Sequence, residues 1–298
     1  MRCALLMVVV LGVPGCSQIF GLEPPTHGGA TDAAGTDVDP PGRTDAHSDG
    51  AIELDTDGDG ITDRDDNCPT VGNANQFDEE KDGVGDVCDK CPISTNNADG
   101  DGDGVGDACD PNPQTGGDVL KLFEGFHAVP QAWTLDGGSW TQGPGDTLLG
   151  TATSGNQAGI YLPAAYSAHE TVTTSATMTN ALGTGYRIMA IKDDAAIGGF
   201  AVVCSTMIDS GTNTLYNNVY NQPAGTYYQR AAFNWSLNTP VIIKSVREDT
   251  DFDCIEAQGS TSATTMAFET TNTNNARIGL HIQSSVTRFD WLMVVTSP

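Results

Sequence analysis

Basic residues are scarce in this chain, with 13 Lys and Arg against 39 Asp and Glu and a formal net charge of −26. The basic residues form no patch and do not alternate with aromatic residues, so the sequence predicts no nucleic-acid partner. Amphipathic helical periodicity is also lacking, which argues against a helical fold. Because there is neither a Gly-x-Ser-x-Gly motif nor a His pair at metal-binding spacing, nothing indicates a serine hydrolase or a histidine-based metal site.

Residues 1–15 have the features of a secretory signal peptide: a positive charge, then an apolar run too short for a permanent transmembrane helix. The pair Gly15-Cys16 at its end resembles the cleavage box of bacterial lipoproteins. The resemblance implies that Cys16 becomes the first mature residue and carries the lipid that attaches the protein to the membrane. The residue after this cysteine is Ser17 rather than Asp, which favours the outer membrane of the cell envelope over retention in the inner membrane. Plain secretion to the exterior, with cleavage nearby, stays open.

Residues 16–54 are rich in Gly, Pro, Thr, Asp and Ala and contain almost no large apolar side chain after Leu22. Such a segment cannot bury enough surface to offset the entropy lost on ordering. We therefore expect a disordered tether between the membrane and the rest of the chain.

Acidic residues are concentrated between residues 55 and 110, which hold fifteen Asp and two Glu against three basic residues. They repeat one twelve-residue pattern three times, with acids at positions 1, 3, 5, 9 and 12 and Gly at position 6. We expect the five acids and the carbonyl of position 7 to bind a metal. These residues are Asp55, Asp57, Asp59, Ile61, Asp63 and Asp66 in loop one; Asp78, Glu80, Asp82, Val84, Asp86 and Asp89 in loop two; and Asp99, Asp101, Asp103, Val105, Asp107 and Asp110 in loop three.

The pattern suits calcium, which takes about six to eight oxygen ligands at roughly 2.3–2.6 Å. Alternate residues of a tight loop can point inward together, and Gly at position 6 allows the sharp bend. Magnesium fits less well, because it keeps its waters and seldom uses an all-protein cage. The alternatives are a solvated acidic linker and an EF-hand. Asp rather than Glu at position 12, with Cys-Pro following two of the loops, argues against an EF-hand.

The stretch 55–113 resembles thrombospondin type 3 repeats, whose pattern is an acidic loop, Asn-Cys-Pro, then Asn and Gln before the next loop. Here this is Asn67-Cys68-Pro69, Asn73 and Gln76, followed by Gly85-Asp86-Val87-Cys88-Asp89. The resemblance implies structural calcium ions along an extended, disulfide-pinned stalk with little hydrophobic core. Lys90 departs from the pattern by replacing the Asn before Cys91, and Glu80 and Lys81 make loop two less regular.

Eight cysteines are present, of which Cys3 leaves with the signal peptide and Cys16 takes the lipid. An even set of six in an exported protein predicts three disulfides, with fifteen pairings open. The repeat resemblance implies Cys68–Cys88 and Cys91–Cys109, which leaves Cys204 and Cys254 for the C-terminal domain. Zinc binding by Cys88-x-x-Cys91 is a weaker alternative, because a second such pair is lacking.

Residues 118–298 change to a Thr-, Val- and Tyr-rich composition with a period of two, as in Val172 to Met178 and Arg277 to Gln283. Many short strands separated by Gly, Asn, Asp and Pro predict an all-β fold, a single β-sandwich. The sequence resembles the concanavalin/laminin-G jelly roll in its opening strands and its closing pair of strands. The opening strands are Phe123–Phe126, then Trp133 and Gly138–Trp140, and the closing pair is Gly279–Ile282 and Phe289–Trp291. The chain as a whole is thus expected to be all-β: a jelly-roll-type sandwich behind an irregular calcium-binding stalk and a disordered tether.

A cluster of aromatic residues among Asn and Gln suggests a sugar-binding surface, since aromatic faces stack on sugar rings. Its members are Tyr216, Tyr220, Tyr227, Tyr228 and Trp235. The sequence therefore predicts a non-enzymatic, lipid-anchored surface protein that adheres to or recognises a glycan or protein. One alternative is a secreted polysaccharide hydrolase that uses Asp251 and Glu256, whose retaining mechanism needs carboxyl groups about 5–5.5 Å apart. Another is a passive envelope spacer.

Overall fold

The computed structural model describes residues 54–165, 169–194, 201–210, 215–221, 226–249, 251–268 and 277–298. The signal peptide, Cys16 and nearly all of the tether therefore lie outside the described residues. Within them the regular structure is entirely β. The strands are Val119–Glu124 (β1), Thr134–Asp136 (β2), Ser139–Gly143 (β3), Thr147–Ala165 (β4), His169–Ala181 (β5), Arg187–Asp194 (β6), Ala201–Ile208 (β7), Leu215–Asn221 (β8), Thr226–Ala232 (β9), Val241–Glu248 (β10), Asp251–Gln258 (β11), Thr261–Phe268 (β12) and Arg277–Thr296 (β13). The described chain thus contains no helix capable of spanning a bilayer.

The strands form one antiparallel sheet that folds over itself into a two-layer sandwich. Nine strands follow the order β12-β11-β10-β5-β13-β6-β7-β8-β9, while β1 and β4 also pair with β13, and β2 and β3 pair with β4. The fold-over is made by β13, whose first part, 277–283, pairs with β6 and whose second part, 285–296, pairs with β5. Strands β7 and β10, which are distant in the sheet order, contact each other across the core. The predicted all-β sandwich is confirmed.

The bend in β13 lies at Ser284, which is fully buried and has a φ of 45°. On the neighbouring strand, the backbone N–H of Gly155 donates to Ser284 Oγ at 2.9 Å, and Gly155 has a φ of 82°. Such bends let one strand serve both layers of a sandwich. The segments predicted as a closing pair of strands, 279–282 and 289–291, are therefore two parts of a single strand, and that prediction was wrong.

The main core lies between the two layers and follows the alternation of the strands. In β5, Val172, Ala176 and Met178 point into it, and in β13 Leu292 and Val294 do the same. The Cys204–Cys254 disulfide joins β7 to β11 across the layers. A disulfide of this kind stabilises a fold by about 2–4 kcal/mol.

The repeat segment, residues 54–118, forms no strand and lies against the outer face of the sandwich. Cys91, Val105 and Cys109 form a small apolar cluster with outward-pointing side chains of β13, with Ile93, Leu120 and Phe123 at its edge. Those β13 side chains are Trp291, Met293 and Val295. The repeat segment therefore shares a hydrophobic core with the sandwich, which the sequence did not predict.

Candidate metal centres

Each acidic loop is closed by its first carboxylate, which accepts hydrogen bonds from the backbone N–H groups of positions 4 and 6. In loop one Asp55 accepts from Gly58 at 2.8 Å and from Gly60 at 3.1 Å. Loops two and three repeat this at Asp78 with Lys81 and Gly83 and at Asp99 with Gly102 and Gly104. The sixth-position glycines, Gly60, Gly83 and Gly104, have φ values of 97°, 94° and 99°. These values favour glycine, as the sequence pattern predicted.

The acids at positions 1, 3 and 5 converge in every loop, with one oxygen from each lying within 4.8 Å of the other two. The groups are Asp55, Asp57 and Asp59; Asp78, Glu80 and Asp82; and Asp99, Asp101 and Asp103. A fourth group, which we call the junction group, contains Asp103, Asp110 and Asp118. Three convergent carboxylates in a tight loop form the donor set that calcium prefers.

The position-12 acids of loops two and three, Asp89 and Asp110, are 5% and 8% exposed. One oxygen of each accepts a backbone N–H two residues later, from Cys91 at 2.7 Å and from Asn112 at 2.6 Å. The other oxygen of each has no hydrogen-bond partner among the described residues. A buried carboxylate oxygen without a partner is strongly unfavourable, and a cation would satisfy it. The residues present therefore fit calcium.

The raised pKa values of two acids in these loops also favour a bound cation. Burial, and then the neighbouring Asp89 and Asp82, raise the pKa of Glu80 to about 8. Burial, and then the nearby Asp118, raise the pKa of Asp110 to about 6. Carboxylates crowded in this way retain protons unless a cation neutralises them. The loops therefore offer sites in which a divalent cation competes with protons.

The position-9 acids, Asp63, Asp86 and Asp107, make hydrogen bonds within their own loops, and their binding of a metal stays a prediction. Each accepts the backbone N–H of position 2 of its loop, at 2.7, 2.9 and 2.7 Å. In the described part of the chain, none of the convergent carboxylate groups includes them. The structure therefore shows them bracing the loop.

Position 7 also braces the loop, because its N–H donates to the position-5 carboxylate. The residues are Ile61, Val84 and Val105, with distances of 2.8, 2.8 and 2.9 Å. The Val105 side chain packs away from the acids into the small apolar cluster and is 1% exposed.

Sequence reasoning missed a contact that every loop receives from the chain that follows it. Asp59 accepts the backbone N–H of Asn73 at 2.6 Å, and Asp82 accepts the side-chain amide of Asn97 at 2.9 Å. In loop three the partner is Asp118, whose backbone N–H donates to Asp103 at 2.7 Å. These partners lie eighteen or nineteen residues after the first acid of their loop, a recurrence visible only when the spacers are aligned.

Residues 36–76 match the family model of the thrombospondin type 3 repeat. The match covers loop one with its Asn73 and Gln76 spacer and ends before loop two. Gln76 of this spacer contacts the end of loop one: its side-chain amide donates to Asp66 at 2.7 Å and its side-chain oxygen accepts the N–H of Asn67 at 2.9 Å. No curated protein matches the chain.

Three solved structures illustrate the similarity of the sandwich to known proteins, each with low sequence identity and a TM-score below one half. A carbohydrate-binding module, CBM66 from Bacillus subtilis, is 15% identical with a TM-score of 0.41, covering 53% of this chain and 92% of its own. A xylan β-1,4-xylosidase from Bacillus halodurans C-125 is 11% identical with a TM-score of 0.45, covering 58% of this chain and 38% of its own. A protein of unknown function with a galectin-like fold from Bacillus subtilis is 9% identical with a TM-score of 0.48, covering 60% and 98%.

The two disulfides implied by the thrombospondin type 3 resemblance are confirmed, namely Cys68–Cys88 and Cys91–Cys109. They join each loop to the next. Because Cys88 and Cys91 belong to different disulfides, neither offers a thiolate for zinc. Lys90, which replaces the Asn of the repeat pattern, pairs with Asp99 at 3.0 Å. Its hydrogen bond to the carboxylate lowers the pKa of Asp99.

The predicted aromatic surface is only partly placed. Tyr216 and Tyr220 lie on β8, while Tyr227 and Tyr228 lie on β9, which pairs with β8. The side chains of these four residues are outside the described part of the structure. Trp235 is 4% exposed and belongs to the main core. Its assignment to a ligand surface was wrong, because this segment directs Phe233 and Trp235 inward together.

The carboxyl groups of the hydrolase alternative lie on opposite faces of β11. Asp251 is exposed, whereas Glu256 is fully buried beside the Cys204–Cys254 disulfide. Residues five positions apart on a strand point to opposite sides of the sheet. The pair therefore lacks the arrangement that a retaining glycosidase needs.

The described surface also contains a groove of about 730 Å³ between the second repeat and β1. Phe77 and Val87 of the repeat line one side, and Phe123 and Val129 line the other. At its end the His127 ring stacks on Phe77, with ring centroids 3.5 Å apart and planes 19° apart. The residues around the groove are thus a second place at which the repeats contact the sandwich.

Proposed function

We propose that the chain is a calcium-binding, lipid-anchored surface protein whose repeat segment and β-sandwich act together in recognition or adhesion. The observation that carries the calcium assignment is the pair of buried position-12 carboxylates, Asp89 and Asp110. Each has one oxygen without a hydrogen-bond partner among the described residues. Three loops with one hydrogen-bonding pattern and convergent acids support the same assignment.

Calcium in these loops has a structural role. The ions would be held by the acids at positions 1, 3, 5 and 12, and they would neutralise a segment with many more acidic than basic residues. Because ligands gathered by folding bind the ion only in the folded state, the binding free energy adds to the stability of the repeats. The position-9 acids keep the loop shape by accepting backbone N–H groups.

A recognition role is supported by the sandwich that the repeats hold and by the tyrosines on β8 and β9. The opposite placement of Asp251 and Glu256 favours recognition over catalysis. Three disulfides are typical of an exported protein. Attachment to the outer membrane through lipid on Cys16 completes the proposal and rests on the Gly15-Cys16 sequence.

The calcium assignment predicts that replacing Asp57 and Asp59 by Ala lowers the number of calcium ions bound by the full chain, because loop one loses two of its three convergent acids. Equilibrium dialysis with radioactive calcium measures the number directly. The matched control is Asp65→Ala, because Asp65 lies in the same loop, pairs with Arg64 at 3.0 Å and belongs to no convergent group in the described chain. An unchanged number of ions in the double variant would remove loop one as a site.

The ligand class is tested by incubating the full chain with a glycan array in calcium and in chelator. Binding that requires calcium is the expected result, since the repeats stabilise the sandwich that would carry the ligand surface. If the array shows no binding under either condition, the carbohydrate part of the proposal fails and a protein ligand or a passive spacer takes its place.

A further inference from the structure

Loop three differs from the other two loops in the residue that reaches back to its position-5 acid. Loops one and two receive Asn73 and Asn97, which are neutral, whereas loop three receives Asp118. The structure accordingly gathers a second carboxylate group only at loop three, among the described residues of the repeats. Loop three is therefore distinguished, among the described repeats, by a second group of convergent carboxylates.

Asp118 is held firmly in this position. It is 1% exposed, and its backbone N–H and that of Gly117 both donate to Asp103 Oδ2, at 2.7 and 2.9 Å. The side-chain amide of Asn112 donates to the two carboxylate oxygens of Asp118, at 3.4 and 3.2 Å. These contacts leave the Asp118 carboxylate directed at Asp103 and Asp110 in the junction group.

A second observation points to a ligand at the same place. Asp110 is 8% exposed, and its Oδ2 has no hydrogen-bond partner in the described structure although it lies within the junction group. The carboxylates of Asp103, Asp110 and Asp118 would repel one another at such distances. A divalent cation would satisfy the open oxygen and remove the repulsion.

The junction group lies where the repeats meet the sandwich. Asp118 is the residue directly before β1, and β1 pairs with the end of β13. Asn112 donates to Ser297 Oγ at 3.3 Å, and Lys244 of β10 is close enough to Asp110 to interact with its charge. Next to Asp110, Cys109 packs in the small apolar cluster with β13.

We propose that Asp103, Asp110 and Asp118 bind a calcium ion at this junction, and that Asp118 is the ligand through which the ion fixes the third repeat to the sandwich. The inference rests on the proposed calcium binding of the repeats and adds a ligand outside the twelve-residue loops. Binding at the junction group therefore links calcium concentration to the stability of the sandwich, whereas binding at loop one acts at a distance from it.

The test is Asp118→Asn in the full chain, which restores the neutral amide that loops one and two have and keeps the size of the side chain. Calcium titration by isothermal calorimetry is expected to show one class of sites lost or weakened by about tenfold or more, because ligand charge sets affinity. Thermal unfolding is expected to show less stabilisation by calcium than in the parent chain. In chelator the variant should be at least as stable as the parent, since one repelling charge has gone.

Thermal unfolding in chelator shows whether Asp118 is a metal ligand or only a structural residue. If its role were only structural, Asp118→Asn would lower the unfolding temperature both with and without calcium. Unchanged calcium affinities in Asp118→Asn would overturn the junction site while leaving the loops intact. Absence of calcium binding in the parent chain would instead overturn the proposed function itself.

The reciprocal variant Asn97→Asp keeps the proposal falsifiable if Asp118→Asn does not fold. It gives loop two the carboxylate that loop three has, next to Asp82, so tighter calcium binding is expected. No gain in affinity would count against the inference.

Discussion

At the scale of single residues, Glu80 is an acid of the repeats whose pKa is strongly raised. Its pKa is raised to about 8 by burial and by Asp89 and Asp82, and its two oxygens lack hydrogen-bond partners in the described chain. The ordinary pKa of Glu is about 4.3. The folded chain therefore binds a proton at Glu80 more tightly than the unfolded chain does whenever calcium is absent.

The sign of the resulting pH dependence follows from linkage. A raised carboxyl pKa makes the folded state gain stability as the pH falls through the window between the unfolded and folded values. We expect the calcium-free chain to have a higher unfolding temperature at about pH 5 than at about pH 8. Thermal unfolding in chelator measures this difference. Glu80→Gln is expected to reduce it, because the amide does not titrate.

Calcium should reverse the trend, because it competes with the same protons and binds best when Glu80 and Asp110 are ionised. Calcium affinity is thus expected to rise with pH across this window. An unfolding temperature that is independent of pH in chelator would contradict the crowding of carboxylates in loops two and three.

At the scale of structural elements, the repeat segment depends on close backbone contacts around its disulfides. Gly85 lies beside the first disulfide, and a Cβ added there would lie 2.6 Å from Cys68 Sγ and 2.7 Å from Asn73 Nδ2. Its N–H also donates to the Asn67 carbonyl at 3.0 Å. The neighbouring atoms belong to a disulfide and to a buried amide, so they cannot move aside easily.

Gly85→Ala should therefore destabilise the repeats by about 1–3 kcal/mol, the usual cost of overpacking. Denaturant unfolding in calcium measures the change. Gly72→Ala is the matched control, since its added Cβ would meet only the Asp59 Cβ at 3.4 Å. Equal stability of the two variants would show that the atoms around Gly85 can move aside to accept a Cβ.

The strands and loops were predictable where one local pattern decides the structure. Alternation located β5 and the first part of β13, and the acid-glycine spacing gave the loop geometry with Gly60 at positive φ. Alternation could not show that β13 is one bent strand, because the bend depends on the backbone of Ser284. It also missed the inward direction of Trp235, which depends on packing between distant strands.

The candidate site was predictable only within each twelve-residue loop. Asp118 lies outside that period and joins the site through folding, so no local spacing identifies it. A signal for the docking of the repeats was present in the continuous apolar run Trp291–Val295. A strand that is apolar on both faces is covered on both faces, and here the repeats provide the outer cover.

At the scale of the whole molecule, the charge of −26 is concentrated in a segment that shares a core with the sandwich. Without cations the repeats repel themselves, and the repulsion acts on the sandwich through the small apolar cluster and Asp118. We expect that with calcium bound the same contacts stabilise both the repeats and the sandwich. The lipid anchor proposed at Cys16 would hold this assembly at the cell surface, where calcium is available.

The most direct measurement of this account is a calcium titration of the chelator-treated full chain by isothermal calorimetry, followed by thermal unfolding of the calcium-loaded protein. The account predicts that several ions bind, at least one in each loop, and that the unfolding temperature of the sandwich rises together with that of the repeats. A chain that binds no calcium, or a sandwich whose unfolding temperature is the same with and without calcium, would contradict it.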